Sequence, residues 1–338
     1  MNDMTEKFPL LDFAKISSMP KRSFVFLWAD YVELQCVISE DKSYSRGYLQ
    51  DVLSDQDDLG ADYHEGDDEV EPKITEDNDD EHKIDSKWSD IKTRLNIRKQ
   101  CLDDAWPFIF DGDVLQLNFD PKSKKQRLYL LLLLCSCLRY CNKKRYDELT
   151  GALEDLGYCI FEKLMPNGWI VKQFGAKNYP GKLYIKMQAL MNQLNGVLLI
   201  KKDDYEEGNV GDGKIDLVAW HPLTDERGFM PIAFAQCGCS PTDWEHKQLE
   251  ASMANLSNVF SLQHPAQNYY FMPHDLRKSS TQFDRRGNIG QVILIDRIRM
   301  LKLCELYSAN DDSIYDKQEF PHTEIIDELL AFNKEYID

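Results

Sequence analysis

Residues 211–240 read GDGKIDLVAWHPLTDERGFMPIAFAQCGCS, and two of their side chains stand where chemistry is expected. IDLVAW and PIAFAQC are apolar on both faces, as the central strands of a covered sheet are. Asp216 interrupts the first run and Gln236 the second. The connection HPLTDERGF is polar, turn-rich and short enough for an antiparallel hairpin; a turn centred near Glu226 sets Asp216 directly opposite Gln236. A carboxylate in an apolar strand is costly to bury unless it is paired or holds a cation. Gln236, across from it, offers a neutral carbonyl oxygen. The pair is half of an Mg²⁺ site, because Mg²⁺ takes hard oxygen ligands and retains several waters. Gln236 also has a second reading, as a buried amide satisfied by backbone groups. Asp212, in Gly-Asp-Gly, serves the turn into the first strand.

The elements that must hold this pair surround it in sequence. RYDELTGALEDLGYCIFEKLM carries Leu149, Leu153, Leu156, Phe161 and Leu164 near one stripe and stops at Pro166-Asn167-Gly168, which predicts a helix. GWIVKQF follows as a strand, Lys182 to Leu194 as an amphipathic helix ended by Asn195-Gly196, and VLLIKKD as a further apolar segment. After the hairpin, SPTDWEHKQLEASMANLSNVF predicts one helix with Ser240 as N-cap, Pro241 at N1 and Asp243 at N3. Its buried stripe is expected at Leu249, Met253, Leu256 and Phe260.

Gly-Asp-Gly-Lys-Ile-Asp-Leu-Val, followed twenty residues after Asp216 by Gln-Cys, resembles the core of PD-(D/E)XK nucleases. The likeness is closest to the restriction-endonuclease-like branch, whose second motif begins with Gln. The resemblance covers residues 146–260 and implies a helix–strand–hairpin–helix core. It implies that Asp216 and an acid on the first helix hold the metal, that Gln236 orients it, and that a lysine polarises the attacking water. Glu162, in Ile-Phe-Glu-Lys-Leu, occupies the helix-acid place, with an exposed helix charge as its other reading. The family pattern wants Lys two residues after Gln236, and this chain has Gly238. Some family members carry the lysine on the next helix, where Lys247 stands. Lys247 lies far around the helical wheel from Leu249, so a solvated surface lysine is its alternative; Lys214 is a weaker substitute.

Elsewhere the residues do less. Residues 23–38, SFVFLWADYVELQCVI, suit one or two strands. Trp88, Ile91 and Leu95 recur at helical steps, FIFDGDVLQLNF suits a small hairpin, and RLYLLLLLCSCLRYC a buried core helix. Cys135, Cys137 and Cys141 on that helix read as core thiols. Cys237-x-Cys239 lacks a second CxxC or a His pair nearby and reads likewise. NYYFMPHDL predicts a strand, QVILIDRIRMLKLCELY a strand entering a helix, and residues 325–332 a last helix. RKSSTQFDRRGN supplies Arg277, Lys278, Arg285 and Arg286 as candidate phosphate contacts, or as a solvated loop. No Walker loop, GxGxxG or GxSxG is present, which leaves nucleotide hydrolysis and serine-hydrolase chemistry unsupported.

The chain has 338 residues and a formal charge of −18, and residues 51–85 carry sixteen acids against two lysines. That stretch is expected to be a disordered acidic linker. The remainder is near neutral, so the acidity does not argue against a nucleic-acid partner. Nine cysteines and a start, MNDMTEKFPLLDF, without basic or apolar leader regions predict reduced thiols, no signal peptide and a cytoplasmic protein without membrane contact.

The expected architecture is α/β (α+β): a mixed central sheet flanked by helices, a PD-(D/E)XK nuclease-like core at 146–338. Before it come an N-terminal strand or arm region (1–50), the linker (51–85) and a helical region (86–145). The expected function is Mg²⁺-dependent (or Mn²⁺-dependent) endonuclease cleavage of DNA, with RNA as a possible substrate. The family's company points to a bacterial anti-phage defence or restriction system with a partner protein. The alternative is a catalytically inactive nuclease-fold subunit that binds a protein partner or DNA.

Overall fold

The computed structural model describes residues 8–20, 24–57, 77–175, 178–204, 211, 213–225, 227–308 and 322–332. They form two compact units, one of residues 1–145, 277–280 and 323–338, the other of 146–276 and 281–322. Both mix helices with sheet. No described helix is long and apolar enough to cross a membrane.

The first unit contains α1 (Phe13–Ile16), α2 (Val25–Ile38), β1 (Ser43–Ser45), α3 (Arg46–Asp57), α4 (Asp77–Leu102), β2 (Phe108–Asp111), β3 (Val114–Leu117) and α5 (Lys124–Ser136). β2 and β3 form the expected hairpin, and β1 pairs antiparallel to β3. The run expected as strand is the helix α2. Its apolar residues are continuous rather than alternating, and 12 of its 14 residues are buried, so it is a helix covered on all sides. Its length also suits a helix better than a strand.

Two carboxylates of α2, Asp30 and Glu33, sit three residues apart on one face and meet Arg98 of α4. Arg98 pairs with Glu33 at 2.6 Å and Asp30 at 2.7 Å, all fully or almost fully buried. Trp106 Nε1 and the Tyr129 hydroxyl also donate to Glu33, at 2.7 Å each. The acidic stretch expected to be disordered is helical at both ends, since 51–57 close α3 and 77–85 open α4. Arg46 of α3 pairs with Asp85 and Glu81, which gives those acids a partner that composition does not reveal. Residues 58–76 lie outside the described residues.

The second unit is built on a five-stranded sheet. Its elements are α6 (Tyr146–Leu164), β4 (Ile170–Gln173), α7 (Leu183–Leu194), β5 (Val197–Leu198), β6 (Leu217–Trp220), β7 (Ile232–Cys237), α8 (Trp244–Lys247), α9 (Met253–Leu256), β8 (Phe260–Ser261), β9 (Gln267–Phe271), β10 (Ile293–Ile295) and α10 (Arg297–Ser308). The strand order is β10-β9-β7-β6-β4. β4, β6 and β7 run antiparallel in sequence, whereas β9 is parallel to β7 and β10 to β9. β5 and β8 make a separate two-stranded ribbon. The last helix, α11 (His322–Ala331), belongs to the first unit, where Glu328 pairs with Arg145 at 3.0 Å.

Side-chain alternation sorts the sheet's two faces. Val218, Trp220, Ile232 and Phe234 join Leu183, Met187, Leu190 and Met191 of α7 in one apolar cluster, with Ala251, Leu256 and Phe260. The other face meets α6, whose Phe161 packs against Tyr269 and Phe271. α6 approaches closely at Gly157, where a Cβ would lie 2.8 Å from Cys237 Sγ. Acids at Asp147 and Glu148 and a base at Lys163 suit the dipole at the two ends of α6.

The helix expected after Ser240 is broken in two. Ser240 accepts the Asp243 N–H at 3.1 Å, as its capping role implies. The helix then stops after one turn, and Ser252 caps α9. Asn255 Nδ2 donates to the Leu249 carbonyl and Gln248 Nε2 to those of Glu245 and Asn288. Such side chains compete with the helical ladder. The buried positions are Trp244, Gln248, Ala251, Leu256 and Phe260, so Leu256 and Phe260 of the expected stripe are buried while Leu249 and Met253 are only partly so.

Candidate functional site at one end of the sheet

β6 and β7 pair in the register that the apolar runs predict: Leu217 faces Ala235, Val218 faces Phe234 and Trp220 faces Ile232. At Asp216 the ladder shifts. The Asp216 N–H donates to the carbonyl of Ala235, the residue already facing Leu217, at 3.1 Å. Two residues then oppose one, the pattern of a β-bulge, which re-aims a side chain. Asp216 Oδ2 turns onto the Gln236–Cys237 peptide and accepts the Cys237 N–H at 2.6 Å. The simple opposition of Asp216 and Gln236 is thus replaced by a closer, bulged contact with the same peptide.

Gln236 is buried, with 9% of its surface exposed. Its Nε2 donates to Glu250 Oε2 at 2.7 Å, which fixes which end of the amide is nitrogen. Its Oε1 is buried and has no hydrogen-bond partner among the described residues. The Tyr270 hydroxyl, buried beside it on β9 in direct register with Gln236, has none either. Burial pushes the Tyr270 hydroxyl well above its ordinary pKa, and the neighbouring thiols Cys239 and Cys237 and carboxylates Asp216 and Glu250 push it further. Two unsatisfied polar atoms and two carboxylates therefore share one end of the sheet.

Two further acids of α6, Glu154 and Asp155, lie close enough to Cys237 to act on its thiol. The Cys237 thiol is raised well above its usual pKa by burial, then by Asp216, Glu154, Cys239 and Asp155. Asp155 also accepts from Gln173 Nε2 at 2.7 Å, which ties α6 to β4. Glu162 lies eight residues beyond Glu154, about 12 Å along the helix, and accepts from the Tyr158 hydroxyl at 3.4 Å.

Lys247 is half-buried at the end of α8, and its ammonium makes no hydrogen bond or ion pair among the described residues. Lys214 is exposed, with a left-handed backbone at φ 71°. Asp212 lies outside the described residues. The basic loop divides: Arg277 and Lys278 group with the first unit, Arg285 and Arg286 with the second. Arg277 donates to the Ser280 carbonyl at 3.2 Å. Arg285 pairs with Glu245 of α8 at 3.4 Å, and Asn288 Nδ2 binds the same carboxylate oxygen at 2.6 Å, so this part of the loop is pinned to α8.

Gly238, where the family pattern has lysine, has a steric cause. A Cβ there would stand 2.3 Å from the Tyr270 hydroxyl oxygen and 3.0 Å from its ring. Tyr270 fills the root of the space a lysine side chain would need. Gly238→Lys is expected to cost about 1–3 kcal/mol through overpacking. Denaturant titration should show part of that loss recovered when Tyr270→Phe is added; a Gly238→Lys protein as stable as the parent would contradict the close packing.

The sequence reading missed a further set behind this end. His274, Asp275, Asp296 and Arg297 are all fully buried where β9 and β10 finish. His274 Nε2 donates to the Cys239 carbonyl at 3.0 Å, and Arg297 Nε to the Pro273 carbonyl at 2.7 Å. His274 braces the loop that follows Gln236, and Arg297 the turn after β9. The signal for them was present in MPHDL and IDRIR, where charges follow directly on apolar strands.

No three His, Cys, Asp or Glu side chains among the described residues form a ready-made metal centre. The nine cysteines are free thiols. What the sheet end offers is a mixed oxygen set, the Asp216 carboxylate and the Gln236 amide oxygen. A buried oxygen without a partner costs about 1–3 kcal/mol, and coordination to a cation removes that cost. This set fits Mg²⁺, which needs few protein oxygens. No protein-family model, curated protein or solved structure matches the chain, so the functional reading rests on this geometry.

Proposed function

We propose that the second unit is a Mg²⁺- or Mn²⁺-dependent endonuclease that hydrolyses DNA phosphodiester bonds in the cytoplasm, in the manner of PD-(D/E)XK nucleases. One observation carries the reading: the bulged Asp216 carboxylate binds the Cys237 N–H, next in the chain to Gln236, whose side-chain oxygen is buried without a partner among the described residues. Further support comes from element order, with α6, β4, the β6–β7 hairpin and the α8–α9 segment following the helix–strand–hairpin–helix order of the resemblance.

In this reading Asp216 supplies the anionic oxygen and Gln236 the neutral one. Glu154 and Asp155, ahead of Glu162, add negative charge from α6. Lys247, without a described partner for its ammonium, orients the attacking water. Bound there, the metal supplies Lewis acidity toward the phosphate and lowers the pKa of a water. Arg285 and Arg286, on the loop beside α8, contact the phosphate backbone.

The test is cleavage of plasmid, single-stranded DNA and RNA with Mg²⁺ or Mn²⁺, each against a chelator and an Asp216→Asn control. Cleavage that depends on both metal and Asp216 supports the reading, and the substrate cut decides between DNA and RNA. A second reading, a catalytically inactive nuclease-fold subunit that docks on a protein partner or DNA, draws on the packing of Tyr270 against Gly238. A protein that binds DNA but cuts none of the three substrates supports this second reading.

A further inference from the structure

We infer that Glu250 is a positioning residue, which holds the Gln236 amide with its carbonyl oxygen presented as a cation ligand. The inference rests on the metal-site reading of Asp216 and Gln236 and adds a residue to it. A glutamine is a poor ligand when free to turn, because its NH₂ end repels a cation and its rotamers are many. Here the NH₂ end is held by a charged acceptor at 2.7 Å, the stronger class of hydrogen bond. The amide plane is thereby set, and Oε1 is left buried with no partner among the described residues.

The surroundings keep it so. Tyr270, aligned with Gln236 on β9, closes one side, and its approach to Gly238 leaves no room for a side chain there. Glu250 itself follows α8, whose next residues are fastened by Gln248 to Asn288 and by Asn268 to Gln248. Partners that orient a ligand in this way typically change metal affinity 10–100-fold when removed.

The experiment is Mn²⁺ binding to the full chain, read from the electron paramagnetic resonance signal of free Mn²⁺. Glu250→Ala should weaken binding by at least about tenfold. Glu250→Gln, whose carbonyl still accepts from Gln236, should stay within about threefold of the parent. Gln236→Ala should match Glu250→Ala, and the double variant should be no weaker than either single, as for residues acting through one another. Thermal unfolding of each variant separates misfolding from a local effect, and Glu250→Gln carries the test if Glu250→Ala does not fold.

Parent-like Mn²⁺ affinity in folded Glu250→Ala would overturn the proposal. So would equal losses in Glu250→Gln and Glu250→Ala, which would make the charge itself the contribution. Failure of the parent to bind millimolar Mn²⁺ would remove Gln236 as a ligand and the proposal with it. The expected binding pattern in a protein that cuts no nucleic acid would remove the cleavage reading and leave the role of Glu250 standing.

Discussion

Asp216→Asn is expected to lower metal-dependent cleavage by about 10²–10³-fold while changing folding stability by only about 1 kcal/mol. The asymmetry follows from the two jobs of this carboxylate. Its Oδ2 accepts the Cys237 N–H at 2.6 Å, and an asparagine carbonyl can accept the same bond. The negative charge is the part asparagine lacks, and that charge is what a divalent cation requires. Asp216→Ala removes both, so it should also lose about 1–3 kcal/mol by orphaning the peptide N–H. Steady-state cleavage and urea unfolding of the two variants separate the roles. Full activity in Asp216→Asn would remove the carboxylate from the chemistry.

Arg98→Ala should cost the first unit about 3–5 kcal/mol, the largest stability effect expected in the chain. The substitution leaves Glu33 and Asp30 buried without their cation, with Glu33 still facing the Trp106 and Tyr129 donors. Replacing the triad together by apolar residues of similar volume should recover most of that loss, because the desolvation cost of the charges leaves with them. Equilibrium unfolding in guanidinium measures both. A loss below about 1 kcal/mol for Arg98→Ala would show that the pair is solvated rather than enclosed.

The parts of the fold readable in the sequence were those where one physical signal dominates. IDLVAW and PIAFAQC are apolar on both faces, and their register could be set by counting from the turn. The α6 stripe ends at a Pro-Asn-Gly stop, and the structure ends the helix there. α2 escaped because burial on every side erases periodicity, and its aromatic and β-branched content then pointed to strand. The broken helix after Ser240 escaped because its caps are right for a continuous helix. The break comes from side-chain amides bonding backbone carbonyls some distance away.

The site divides in the same way. Asp216 and Gln236 were legible because polar groups in apolar strands stand out. Glu250 was not, since a glutamate on a helical face ordinarily reads as solvated charge, and only the bond from Gln236 gives it a role. Tyr270 lay inside NYYF as one more core aromatic, although its hydroxyl explains the glycine at 238. Glu154 and Asp155 stood out less than Glu162 in the sequence, because helix position alone does not say which turn of α6 lies nearest Cys237. The bulge at Asp216 is a backbone hydrogen-bond shift that no residue type announces.

The most direct test of the central claim is anomalous diffraction from crystals of the protein soaked in Mn²⁺. The account predicts a peak within ligand distance of both the Asp216 carboxylate and Gln236 Oε1, lost in Asp216→Asn crystals. Mn²⁺ bound only elsewhere, with Gln236 Oε1 bonded to protein or water alone, would contradict it.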